Sequence, residues 1–289
     1  MGESKLRSYF ELFKLKQTFL LVYSGVFGYL IAAGYDIDFT KLIIFIIASF
    51  LSISGTTGLN MYYDRDIDDI MFRTRYRPLP SGKINPGEAY AVSMTLNILG
   101  IAIGFSLNYW VGLAILLGFI IDIYVYTVLL KRRTPLNIVV GAIAGGMPIF
   151  GGYMVHTGHP TLKAFMLMLI IACWAMIHIW YIATYYIDDY KRARIPMLPV
   201  VVGERKTIYI SIIVLSIIAL IVAFMFYLGL STIYSLIISL VFTLVISLLA
   251  MKYLTTNDKE YVRKAYKVLN PYQGILLLVF LIEKLAMLV

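Results

Sequence analysis

The stretch Asn60-Met-Tyr-Tyr-Asp64-Arg-Asp66-Ile-Asp68-Asp69 concentrates oxygen-bearing side chains at four-residue spacing. On a helix, Asn60, Asp64 and Asp68 share one face, within about 80° and about 12 Å of rise. Such a stripe is too extended to enclose an ion by itself. Each side chain can instead give one or two oxygens to a hard cation whose other positions are filled by water or phosphate, which is how magnesium prefers to be held. Asp66 points to another face, and Asp69 lies about 100° from Asp68. Carboxylates this close repel one another, and at the centre of a bilayer each would cost up to about 3 kcal/mol, so a counter-cation is expected. The alternative is a solvated acidic helix end neutralised by Arg65 and the arginines beyond it.

Those arginines, Arg73, Arg75 and Arg77, precede Pro78, Pro80 and Gly82, which stop the helix and turn the chain. Guanidinium forks bind phosphate oxygens in pairs. Carboxylates, a metal and arginines together suit a diphosphate, with Arg73 and Arg77 as candidate ligands beside Asn60. Anchoring at a membrane surface accounts equally well for any single arginine. Lys131, Arg132 and Arg133 read first as such anchors, and Lys131 also as a candidate diphosphate ligand.

A second segment echoes the first. IDDIMFRTRYRPLPSG begins at Ile67 and IDDYKRARIPMLPVVVG at Ile187, an offset of 120 residues. That offset maps Asn60 to Trp180, Asp64 to Thr184 and Asp68 to Asp188. Only the last carboxylate survives, with Asp189 beside it. Asp64, Asp68 and Asp188 are therefore the expected catalytic metal ligands, with the load mainly on the first loop. His178 precedes Asp188 by ten residues, in an apolar run, and is a base, a haem ligand, a hydrogen-bond donor or a core histidine. Asp122, four residues from Tyr126, must face the bundle interior or water, in a packing hydrogen bond or a substrate role. His156 and His159 read as solvated. Gly141, Gly145, Gly146, Gly151 and Gly152 suit close helix approach, or else a cavity wall left open for a flat or long ligand.

These groups sit in a chain that cannot be a soluble globular domain. Of its 289 residues, 61% are hydrophobic and 14% charged, with a mean hydropathy of +0.84, against about 45–50% and about 25% in soluble chains. Nine or so apolar runs, near 17–34, 40–62, 87–107, 110–130, 136–155, 161–187, 207–229, 231–253 and 268–289, are long enough to cross a bilayer. The expectation is an all-α integral membrane protein, one domain over residues 1–289, with about nine transmembrane helices around a central cavity. The polar stretch Met1 to Gln17 lacks the short apolar core of a removable signal peptide. Cys173 is the single cysteine, so no disulfide framework or thiolate metal site is available. The net charge of +9 suits a membrane surface, and no nucleic acid is expected. All but Lys41, Lys163 and Lys284 of the 25 basic residues fall at one end of the predicted spans. By the positive-inside rule that end is cytoplasmic, placing the N-terminus and both acidic loops inside and the C-terminus outside. Four crossings separate the two loops, so the echo predicts a parallel four-helix duplication, with both loops at the mouth of one cavity. A secondary transporter could share such repeats, but its polar groups belong at mid-membrane.

The residues resemble the UbiA-type intramembrane prenyltransferase superfamily, whose first motif is Asn-x3-Asp-x3-Asp. Within it they resemble the protoheme IX farnesyltransferase (heme O synthase) branch. NMYYDRDIDDIMFRTRYRPLPSGKI (60–84), YTVLLKRRTPLNIVVGAIAGGMPIFGGY (126–153) and DDYKRARIPMLPVVVG (188–203) read like that branch's blocks, and the likeness spans roughly residues 13 to 285. One departure is MIHIW at 176–180, where the branch commonly has Pro-Pro-His-Phe-Trp. The resemblance implies transfer of a farnesyl group from farnesyl diphosphate to a vinyl group of haem b (protohaem), with water addition, giving haem O. It implies Mg2+ as divalent cation, His178, Trp180 and Tyr126 as haem-side candidates, a lipid bilayer, and contact with other haem A or terminal oxidase assembly proteins. The same superfamily offers a quinone precursor or an archaeal-type lipid as acceptor instead.

Overall fold

The computed structural model describes residues 5–287, and every regular element among them is a helix. A short α1 (Lys5–Leu12) leads into α2 (Leu15–Ala33), α3 (Phe39–Ile70) and α4 (Pro86–Leu107). Next come α5 (Tyr109–Phe119), continued by a π-helix (Ile120–Leu130), then α6 (Asn137–Thr157) and α7 (Leu162–Tyr185). Two short helices, α8 (Ile187–Arg192) and α9 (Leu198–Val202), precede α10 (Glu204–Tyr227), α11 (Ile233–Thr256) and α12 (Lys259–Ala286). Among the described residues, nine spans are long and apolar enough to cross a membrane, with α5 and the π-helix forming the fourth.

The turns between spans are written locally. Asp38 caps α3 through the Lys41 amide at 3.0 Å. Asn85 caps α4 through the Gly87 amide at 2.8 Å, with Pro86 in the first turn, where no hydrogen bond is lost. Gly158 ends α6 at φ +73°, a left-handed position that favours glycine. At the far end, Glu283 of α12 accepts from the Ser235 amide at 2.7 Å and the Thr232 amide at 3.2 Å, capping α11 from a neighbouring helix.

Spans pack in chain order, and the set closes because α12 lies against both α2 and α7 while α2 lies against α6. The pairing of the second span with the fifth recurs between the sixth and the ninth, in keeping with a four-span repeat. Glycines set the closest approaches. A methyl group on Gly152 would overlap the Gly25 carbonyl of α2, and one on Gly146 would sit 2.6 Å from the Met168 carbonyl of α7. Packing therefore explains these two glycines, whereas Gly145 meets nothing nearer than the Ala175 Cβ at 3.7 Å. The outer faces carry large apolar side chains into the surroundings, with Leu220 66% and Leu244 59% exposed. Water would penalise such a surface, and hydrocarbon does not. The chain is a multi-pass membrane protein.

Several boundaries move from those expected. The second helix runs on to Ile70 rather than ending near 62, carrying the acidic stripe on unbroken helix. The sixth stops at Tyr185, with a break at Tyr186 before α8, instead of reaching 187. The ninth begins at Lys259 rather than 268 and continues through Pro271, since its polar first turns extend the helix beyond the apolar run. Positions 288 and 289 of the expected last span, and the first four residues of the polar N-terminal stretch, lie outside the described residues.

Candidate active site

Helix α3 presents its stripe inward. Asp64 and Asp68 are 3% and 4% exposed, while Arg65, Asp66 and Asp69 are exposed. Every member of the stripe meets a partner from another segment. Asn60 Nδ2 donates to Thr127 Oγ1 at 2.9 Å. Asp64 Oδ2 is paired with Lys131 Nζ. Both oxygens of Asp68 accept from Arg77 Nη1 at 2.8 Å. The loop after α3 folds back to deliver Arg77, with Thr74 Oγ1 donating to the Asp68 carbonyl at 3.0 Å.

Lys131 reaches the stripe because the fourth span ends as a π-helix. The Lys131 amide donates to the Tyr126 carbonyl at 2.8 Å, one residue further back than in an α-helix. At 100° per residue, Lys131 would lie about 180° from Asp122. At about 4.4 residues per turn, π geometry brings the two within about 20°, with Tyr126 on the same face. Lys131 Nζ lies 5.4 Å from the centre of the Tyr126 ring. Lys131 thus meets the acidic stripe from the face of the π-helix that carries Tyr126. Burial opposes its charge, but Asp64 outweighs burial and holds its pKa above the usual lysine value. Arg132 points the other way, binding Asp66 with both terminal nitrogens at 2.7 Å, and so pins the loop to α3.

Lys14, absent from the sequence-based candidates, also belongs to this cluster. It sits at the turn between α1 and α2 with φ +43°. Burial, and then the charges of Arg77 and Lys131, pull its pKa down to about 8, against the opposing effect of Asp64 and Asp68. Nothing in the spacing of Lys14 pointed here, since the turn that delivers it is not periodic.

The second loop meets the first, as the echo predicted, through a different residue from the one expected. Asp189 is buried and accepts from the backbone amides of Phe72 at 3.3 Å and Arg73 at 3.2 Å. Arg192 donates to Asp189 at 3.3 Å and lies 3.9 Å from the Phe72 ring centre. Arg73 donates to Tyr190 Oη at 3.3 Å and rests over Tyr186, so it ties the two loops together. Asp188 is exposed and forms no hydrogen bond or ion pair among the described residues. Nor do Asp64, Asp68 and Asp188 converge into one three-carboxylate cluster. The break at Tyr186 rotates the Asp-Asp pair, turning Asp189 inward.

The haem-side candidates separate. Tyr126 stands with Lys131, against Gly141 of α6. Trp180 is 3% exposed within the core, its Nε1 without a hydrogen-bond partner among the described residues. His178 lies on the seam between α7 and α12. Its ring sits between Trp174 at 4.8 Å and Tyr266 at 4.9 Å, and Nδ1 meets Asn270 Oδ1 at 3.0 Å.

The stripe fits a divalent cation bound jointly with a phosphate. Asp64 Oδ1 is buried with no hydrogen-bond partner among the described residues, an anionic acceptor left for a ligand. Among those residues no three histidines, cysteines or carboxylates form a closed metal cage, so the remaining positions must come from substrate and water. Lys131, Arg77 and Lys14 bring three cations to the stripe.

The UbiA prenyltransferase family profile matches residues 21–271. The protoheme IX farnesyltransferase of Thermofilum pendens is 41% identical over 266 residues, covering 92% of this chain and 94% of its own. That of Hyperthermus butylicus is 38% identical over 285 residues, covering 97% and 95%. Among solved structures, a digeranylgeranylglyceryl phosphate synthase superposes with a TM-score of 0.81 at 22% identity, covering 98% of this chain and 100% of that one. A UbiA homolog from Archaeoglobus fulgidus bound to GPP and Mg2+ gives 0.71 at 17% identity, covering 96% and 98%. The inward Asn60–Asp64–Asp68 stripe, the nine spans and these likenesses agree: the chain belongs to the UbiA prenyltransferase family.

Proposed function

We propose that the chain transfers the farnesyl group of farnesyl diphosphate to a vinyl group of haem b, with addition of water, giving haem O. What carries this reading is its likeness to protoheme IX farnesyltransferases, at 41% and 38% identity over nearly the full length. The chain's own charges supply the physical route. Asp64 and Asp68 would hold Mg2+, which when bound would supply positive charge against the departing diphosphate. Lys131 and Arg77, which neutralise the two carboxylates in this structure, turn to the phosphate oxygens, where Asn60 adds an amide donor. Arg73 holds the second loop over the site. The Tyr126 ring offers a negative face to the allylic cation. His178, held by Asn270 on the α7–α12 seam, is the haem-side contact. The site's end of the bundle faces the cytoplasm, a reading supported by the positive-inside rule, since all but Lys41, Lys163 and Lys284 of the 25 basic residues fall at one end of the predicted spans.

The test is haem extraction and mass analysis from cells lacking their own haem O synthase, with and without this chain. The expected product is a haem heavier by one farnesyl group plus water, lost in Asp64→Ala. Unmodified haem from well-expressed protein would refute the acceptor. Product persisting in Asp64→Ala would refute the metal assignment.

A further inference from the structure

The chemistry proposed above needs a base that none of its assigned residues supplies. When the farnesyl carbon–oxygen bond breaks, its electron pair leaves with the diphosphate. The vinyl π electrons then form the carbon–carbon bond, leaving positive charge on the vinyl carbon beside the pyrrole. A water oxygen closes the sequence by bonding to that carbon, and one water proton must go elsewhere. We propose that Asp122 accepts it. This assignment rests on the haem farnesylation reading.

Asp122 lies within the fourth span, in the first turn of the π-helix. Its carboxylate forms no hydrogen bond or ion pair among the described residues, which removes the packing hydrogen bond that would otherwise explain it. It feels the charges of Lys14, Lys131 and Asp64, so it belongs to the same electrostatic site. Only its backbone is used. The Asp122 carbonyl accepts from Thr127 Oγ1 at 2.7 Å, and Thr127 Oγ1 in turn accepts from Asn60. This chain fixes Asp122 relative to the acidic stripe while leaving its side chain free. Charge inside a span is retained where it has a function.

The other bases are occupied or misplaced. Asp64 and Asp68 are paired with cations, Asp189 holds the loop amides, and Asp66 is bound by Arg132. Asp69 and Asp188 are exposed. His178 is held on the α7–α12 seam between Trp174 and Tyr266, with Nδ1 against Asn270, and is already assigned to the haem itself. Asp122 combines a free carboxylate, a span position and coupling to the diphosphate site. The proton it takes is later lost to solvent, so the balance is haem b, farnesyl diphosphate and water giving haem O, diphosphate and one proton.

The experiment compares the wild-type chain with Asp122→Asn and Asp122→Glu, reconstituted with haem b, farnesyl diphosphate and Mg2+. It reads diphosphate release and the masses of all haem products. Loss of a positioned base costs about 10²- to 10⁴-fold in the proton-transfer step. In Asp122→Asn, haem O per diphosphate released should fall at least about tenfold, with farnesyl-haem lacking the added water rising in its place. Asp122→Glu should restore part of the hydrated product. Because the readout is a ratio within one sample, loss of folded protein does not mimic it. An unchanged ratio in Asp122→Asn overturns the assignment and leaves the departing diphosphate as the base. Equal loss of haem O and diphosphate release in a folded variant also overturns it, making Asp122 a binding residue. If the wild-type chain releases diphosphate but makes no farnesylated haem, the haem reading itself fails.

Discussion

Lys131→Met tests the centre of the site, because it removes the charge while keeping most of the side chain's length. In the Asp64–Lys131 pair the side chains are only 4% and 15% exposed. Removing one partner of a buried pair leaves the other uncompensated and costs about 3–5 kcal/mol. Asp64 is poorly placed to absorb that loss, since its other oxygen already lacks a hydrogen-bond partner among the described residues. The double variant Asp64→Asn/Lys131→Met removes both charges. Once Asp64→Asn is in place, adding Lys131→Met should cost under about 1 kcal/mol, leaving a coupling of about 2–4 kcal/mol. Thermal unfolding of the four proteins in detergent without ligand measures this cycle. Turnover responds separately. Loss of one charge-assisted contact to the departing diphosphate should lower kcat about 10²- to 10³-fold. A Lys131→Met protein as stable as the wild type, with more than a tenth of its turnover, would refute both the pairing and the role drawn from it.

Gly152→Ala places a methyl group on the Gly25 carbonyl and should destabilise by about 1–3 kcal/mol, whereas Gly145→Ala should be tolerated; thermal denaturation in detergent ranks the two. Lys14 has a pKa of about 8, below the usual 10.5, so at pH 9 its amine is mostly neutral. An arriving diphosphate favours the ammonium form, so binding at pH 9 should take up a proton that binding at pH 6 does not. Calorimetry in buffers of different ionisation enthalpy reads this, and no difference between the two pH values would remove Lys14 from the site.

Periodicity made the central features legible in the sequence. Asn60, Asp64 and Asp68 recur at helical spacing and share an inward face, while Asp66 and Asp69 face out, because α3 runs unbroken through them. The nine spans follow from apolar length alone, and the two loops meet where their shared pattern placed them. What escaped was how departures from regular helix deliver residues: Lys131 stood among the diphosphate candidates, but the geometry that brings it to the stripe did not. The π-helix swings Lys131 into the site from a position that α-helical spacing assigns to the opposite face. The break at Tyr186 exchanges Asp188 for Asp189. The left-handed turn at Lys14 brings in a third cation. Each depends on tertiary packing that overrides local preference, and none leaves a period to read.

The pairing of Asp64 with Lys131 and of Asp68 with Arg77 governs how the pocket fills. Within these two pairs the charges balance at rest, so a free metal or a free diphosphate meets each of the four groups already countered. A metal ion arriving alone must compete with Lys131 for Asp64, and a diphosphate arriving alone must compete with Asp64 for Lys131. Arriving together, the two satisfy all four side chains at once. Occupancy then follows the product of the two concentrations, and the mouth behaves as a coincidence detector.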